Sequence, residues 1–262
     1  MKFESASEKA IFSTIRIETR SSQEDFIVGT AFIYEFSTED NTYPFLVTTR
    51  NLIENAKEGR ITLIQGQNRE PIIGKGYTLD IENFSKLWFC HPDDELNIAV
   101  TPFVPFVKHV ENAGVNIYFD SLNERTLYPR EEYKNIKLGE DLMYLGYPKS
   151  CWDEKHLLPV FRQGMLSLPY ELHYHGKPQG LVDTTVVEGA SGSPVFLRSK
   201  YTEHGIEGSL LGVLSTIPVK IGDQDDYTNI EESLQESSMG VVIKISVALE
   251  AITAYLQEKG FI

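Results

Sequence analysis

Apolar and polar positions alternate in short runs along most of this 262-residue chain. Segments rich in Val, Ile, Phe and Tyr, each bounded by polar, Gly or Pro clusters, fall at Ala10 to Ile17, Phe26 to Phe36, Pro44 to Thr48, Arg60 to Gln65 and Leu96 to Pro102. Further on they recur at Asp141 to Leu145, Gly164 to Leu168, Leu181 to Val187, Pro194 to Leu197, Ser209 to Ser215 and Gly240 to Ile245. Runs of this length and composition predict short strands. Their unbroken succession predicts an all-β barrel or sandwich, because alternating strand and helix patterns would be needed for a parallel sheet.

The only long helical pattern comes at the end, where Ala248, Leu249, Ile252, Tyr255 and Leu256 recur at helical spacing, with Ser246 placed to cap and Gly260 to stop. A short helical turn is expected around Asn51 to Ala56. Residues 120–137 are polar and charged, contain Pro129, and are expected to form an exposed connection. The expected organisation is an N-terminal β unit over 1–119, that connection, a second β unit over 138–245 and a terminal helix over 246–262. Lys220 to Ser238 is acidic but lacks the ligand spacing of a calcium loop, so a surface loop is expected there.

A formal net charge of −14 and the lack of a basic cluster oppose binding to nucleic acid or anionic membranes. No apolar stretch approaches the length of a membrane helix. The start, Met1 to Lys9, has no apolar core of a secretory signal, so a cytoplasmic address is expected, with Cys90 and Cys151 as unpaired thiols. No cofactor and no metal are expected. His173 and His175 would share one face of a strand, but without a third ligand they are read as a solvent-facing pair. His91-Pro92 is read as a surface turn, and Asp93-Asp94-Glu95 as solvated.

The sharpest motif is Gly189-Ala190-Ser191-Gly192-Ser193-Pro194, between two apolar segments. Its glycines permit a tight turn that exposes the serine, with the amides of Gly189 and Ser191 as candidate donors to an oxyanion. The segment resembles the nucleophile turn of trypsin-like serine peptidases, and other landmarks of that family follow in the same order. Gly29-Thr30-Ala31-Phe32 resembles the G-T-G-F strand, Phe45 to Ile53 the L-V-T-x-x-H-V segment, and His91 to Val100 the H-P-x-x-D-[IL]-A-V segment. Tyr144 to Pro148 and Pro159 to Gly164 resemble the strands that open the second barrel in HtrA-related prokaryotic members. The resemblance implies two six-stranded antiparallel β-barrels followed by a C-terminal α-helix.

Carried over position by position, the resemblance puts Ser191 at the nucleophile, Asn51 at the general base and Asn97 at the orienting carboxylate. A carboxamide has no basic lone pair in the relevant range, so Asn51 cannot take the serine proton as the acyl bond forms. Even the carboxylate-to-amide change alone costs about 10⁴ in the trypsin case. The reading this supports is a catalytically impaired pseudopeptidase that binds a peptide or protein segment in the cleft between the barrels. Two alternatives stand beside it: an active serine hydrolase using a substitute base, and an active peptidase silenced by introduced asparagines. The wall of any side-chain pocket is expected near Leu210 to Ser215 and the loop that follows, favouring a small or apolar occupant.

Overall fold

The computed structural model describes residues 10–21, 25–185, 187–200, 206–215 and 239–262. Its first half contains β1 (Thr14–Arg20), β2 (Ile27–Ser37), β3 (Thr42–Thr48), β4 (Glu58–Gln67), β5 (Glu70–Glu82), β6 (Phe89–Cys90), β7 (Ala99–Pro102) and β8 (Leu122–Asn123). These make one eight-stranded sheet in the order β5-β4-β1-β2-β3-β7-β6, with β8 running parallel to β2. The second half contains β9 (Asp141–Gly146), β10 (Val160–Leu166), β11 (Gln179–Asp183), β12 (Pro194–Leu197), β13 (Leu210–Ser215) and β14 (Met239–Lys244). They close into an antiparallel barrel in the order β10-β11-β14-β13-β12-β9.

The second half therefore forms the expected six-stranded barrel, whereas the first is an open sheet with β5 and β6 at its two edges. The reason is local. After β5 the chain enters a 3-10 turn, Phe84–Leu87, and β6 spans only two residues, too few to build a closing ladder. Phe84 and Trp88 turn into the core instead. A helix the sequence pattern did not announce, α2 (Val104–Asn112), adds Phe106 and Val110 to that core; it is preceded by the short α1 (Arg50–Ile53). Those two buried side chains are four residues apart and share one face of α2. With Pro105 in its first turn, the segment starts as a helix does despite its β-branched valines.

A second apolar cluster joins the halves: Phe32, Phe45 and Val47 of the sheet meet Leu145, Phe196, Val213 and Ile243 of the barrel. The last helix, α3 (Ile245–Glu258), seals it with Val247, Ala248, Ala251, Ile252 and Leu256, all fully buried. Burial of each large aliphatic side chain there is worth about 1.5–3 kcal/mol. The helix begins two residues earlier than a cap at Ser246 would place it, and Lys244 at its N-cap supplies no side-chain cap. Its end matches the sequence reading: Gly260 has φ +70, Phe261 N–H donates to Leu256 O at 2.9 Å and Gly260 N–H to Gln257 O at 3.0 Å, the paired bonds of a Schellman stop.

Residues 120–137 are less exposed than their polarity suggests. Leu122, Tyr128, Tyr133 and Ile136 are buried, the last three packing onto the base of the barrel. Spaced aromatic residues anchor a segment whose other side chains are charged, so average composition misjudges it. No helix among the described residues is long and apolar enough to cross a membrane.

Candidate active site

The turn from Gly189 to Pro194 is held by both halves of the molecule. Ala190 N–H donates to Val187 O at 3.0 Å and Ser193 N–H to Ala190 O at 3.2 Å, which curls the chain. Gly192 N–H donates to Leu214 O at 2.8 Å within the barrel, and Thr30 N–H of β2 donates to Ser191 O at 2.9 Å from the sheet. Gly189 and Gly192 carry φ of +99 and +88, and a Cβ on either would sit about 2.0 and 1.9 Å from the carbonyl oxygens of Tyr147 and Thr30. Both glycines are required by conformation and by space.

Thr30 is the main stitch. Its hydroxyl donates to Gly189 O at 2.7 Å and accepts from Tyr147 N–H at 3.1 Å. Its own carbonyl accepts from Thr48 Oγ1 at 2.6 Å. The Gly29-Thr30-Ala31-Phe32 strand thus fixes the serine turn against the end of β3.

Ser191 is 8 % exposed, and its hydroxyl lies 2.9 Å from the hydroxyl of fully buried Thr49. Thr49 stands between β3 and α1, two residues before Asn51. Asn51 and Asn97 meet each other: Asn51 N–H donates to Asn97 Oδ1 at 2.8 Å, and Asn97 Nδ2 donates to Asn51 Oδ1 at 3.2 Å and to Ser215 Oγ at 3.1 Å. Asn51, Gly189 and Ser191 line one cavity of about 260 Å³, with Asn55, Glu188, Val28 and Leu52 on its walls. A larger cavity of about 780 Å³ lies elsewhere, at the unclosed seam between β5 and the β7–β6 edge, and contains none of these residues. Volume is a poorer guide here than convergent polar groups.

The three positions singled out from sequence are therefore neighbours, linked as an Asn51–Asn97–Ser215 chain beside a Thr49–Ser191 pair. Thr49 and Ser215 are the participants that sequence reading missed. Ser215 closes the apolar Leu210–Ser215 strand and Thr49 directly follows β3; a polar residue at the end of an apolar run is the available signal, and the structure shows both to be fully buried. Among the described residues no imidazole or carboxylate hydrogen-bonds the Ser191 hydroxyl.

Several lesser expectations change. His91 is buried, its Nδ1 accepting from Asp93 N–H at 3.0 Å and its Nε2 3.7 Å from Glu250 of α3, so it is no surface turn. His175 lies in a turn with left-handed backbone, φ 54, so it shares no strand face with His173; both are exposed. The acidic run is engaged as well as solvated: Asp94 pairs with Arg50 at 2.7 Å and Glu95 with Lys177 at 2.9 Å, the latter bridging the halves. Cys90 and Cys151 are unpaired. Burial pushes the Cys90 thiol up, against nucleophilic use. The Lys220 to Ser238 stretch, and the loop after Ser215 expected to shape a side-chain pocket, lie outside the described residues.

No family model matches the chain, and no curated protein matches it. Among solved structures it is similar to the MamO protease domain from Magnetospirillum magneticum, at 10% identity and TM-score 0.48 over 92% of this chain and 96% of that one. It is similar to the active form of the Rv3671c protease from M. tuberculosis, at 12% identity and TM-score 0.45 over 93% and 81%. A third is a variant of the HtrA-type protease AlgW with a decapeptide, at 15% identity and TM-score 0.49 over 96% and 65%. Along nearly its whole length, the chain is similar to solved protease structures, one of them of the HtrA type.

Proposed function

We propose that this chain is a trypsin-like, HtrA-related peptidase relative that has lost turnover and binds a peptide or protein segment beside Ser191. The observation that carries the reading is the bonding around the serine. Its hydroxyl is partnered by another hydroxyl, Thr49, while the residue at the base position, Asn51, is committed to Asn97. Neither alcohol nor carboxamide stores a proton near neutral pH, so nothing bonded there activates the nucleophile. The turn, its glycines and the cavity persist, which supports binding without consumption.

The test is labelling with a fluorophosphonate probe, with Ser191→Ala as the blank, beside the pair Asn51→His with Asn97→Asp. The wild type is expected to give no Ser191-dependent adduct and the double variant to gain one. Ser191-dependent labelling of the wild type at the rates of ordinary serine hydrolases would overturn the reading and favour a hydrolase with a substitute base.

A further inference from the structure

We infer that the cavity beside Ser191 is a receptor for a carboxylate, and specifically for the free C-terminus of an extended peptide; this rests on the binding reading above and names its ligand. The inference comes from the polarity of the asparagine pair. A backbone N–H can only donate, so the Asn97 atom 2.8 Å from Asn51 N is necessarily the amide oxygen. The other Asn97 terminus is then its NH₂ group, 3.2 Å from one terminus of the Asn51 side chain. That terminus must accept, so it is Oδ1. Asn51 is left with Nδ2, a two-proton donor, and among the described residues that group makes no intramolecular hydrogen bond.

A histidine at this position would offer the serine a basic lone pair. Asn51, locked in this sense, offers protons. Two more donors flank the same cavity: the amide N–H groups of Gly189 and Ser191 have no backbone acceptor among the described residues. Ser191 Oγ and Thr49 Oγ1 bond each other, and one of the two hydroxyl protons is spent in that bond. A neutral peptide carbonyl uses part of such a donor set, whereas a carboxylate has two oxygens and four acceptor sites and takes hydrogen bonds about twice as strong. Among the described residues the one acid lining the cavity, Glu188, is paired with Lys149 at 2.9 Å. At about 260 Å³ the cavity holds a few atoms of an extended segment and not a folded domain, and Ile27 and Val28 of β2 line it, so the occupant we assign is the terminal carboxylate of an extended chain.

The experiment uses the full chain and a set of N-acetylated octapeptides made twice, once as free C-terminal acids and once as C-terminal amides, with affinities compared by titration. Acids are expected to bind at least roughly tenfold more tightly than their amides, as the loss of a charged hydrogen-bonding group predicts. Asn51→Asp keeps the shape and the backbone donor but puts a negative charge at the ligand. It is expected to abolish the preference for acids, with the thermal transition used to show that the variant is folded. Equal binding of acids and amides by the wild type, or an unaltered preference in Asn51→Asp, overturns the carboxylate inference and leaves the binding reading intact. Binding of neither set overturns both. Cleavage of the peptides by the wild type overturns only the loss of turnover, provided the product acids still outbind their amides.

Discussion

At Ser191 the decisive partner is Thr49, whose hydroxyl has no other bond among the described residues and is wholly buried. Thr49→Val keeps the shape but strands the serine hydroxyl without a partner. A loss of about 1–3 kcal/mol in denaturant-monitored stability is expected, with no gain of phosphonate labelling in the wild-type background. In the Asn51→His, Asn97→Asp background the same change is expected to speed labelling, since the serine then answers to the imidazole alone. An unchanged rate there would mean that Thr49 does not compete for the hydroxyl. Gly189 offers a second test, because Gly189→Ala combines φ +99 with a Cβ 2.0 Å from Tyr147 O. The backbone conformation alone costs about 1–3 kcal/mol, so a lowered denaturation midpoint is expected even before the carbonyl is displaced.

Among the elements, α3 and β14 show how an apolar face and one buried charge share a strand-to-helix junction. Ile252 is fully buried between the halves, and Ile252→Ala is expected to cost about 2–5 kcal/mol of stability by the same denaturation measurement. Lys244, at the end of β14, is 3 % exposed; its ammonium donates to Glu171 O at 3.2 Å and Leu172 O at 3.3 Å and lies over the rings of Tyr133 and Tyr170. Burial, with Arg130 nearby, pushes its pKa down from 10.5 to about 8. Below pH 8 the folded protein carries this charge against its desolvation cost. Between about pH 8 and 10.5 the unfolded chain holds the proton more firmly than the folded one, so this group's contribution to unfolding free energy rises with pH across that window, while buried Tyr147 and Tyr170, whose pKa values burial raises, contribute a fall as the unfolded phenols ionise near pH 10. Wild-type stability is expected to rise relative to that of Lys244→Met between about pH 8 and 10, and a constant difference between the two would refute the assignment.

For the molecule as a whole, the serine turn is where two independently patterned halves are tied together. Thr30→Val removes both side-chain bonds of that tie while keeping the backbone bond to Ser191 O. A loss of about 2–4 kcal/mol is expected, the sum of two buried bonds and their stranded partners, read by denaturation together with any widening of the two-state transition. The all-β class, the stopping of the last helix at Gly260 and the glycine-framed serine were legible in the chain, because two-residue alternation, 3.6-residue spacing and positive-φ glycines are local signals. β5 was not: it is an edge strand, half exposed and interrupted by Gly74 and Gly76, so it carries little apolar alternation. α2 was missed because β-branched valines look like strand, and the tyrosines of 120–137 because their burial depends on a barrel distant in sequence. Asn51, Asn97 and Ser191 could be picked out by residue type and order. Their joining was settled only in three dimensions, where a backbone N–H fixes the sense of both carboxamides and Thr49 takes the serine hydroxyl. Local propensity is written residue by residue, whereas the direction of a hydrogen bond depends on which atoms the fold brings within about 3 Å.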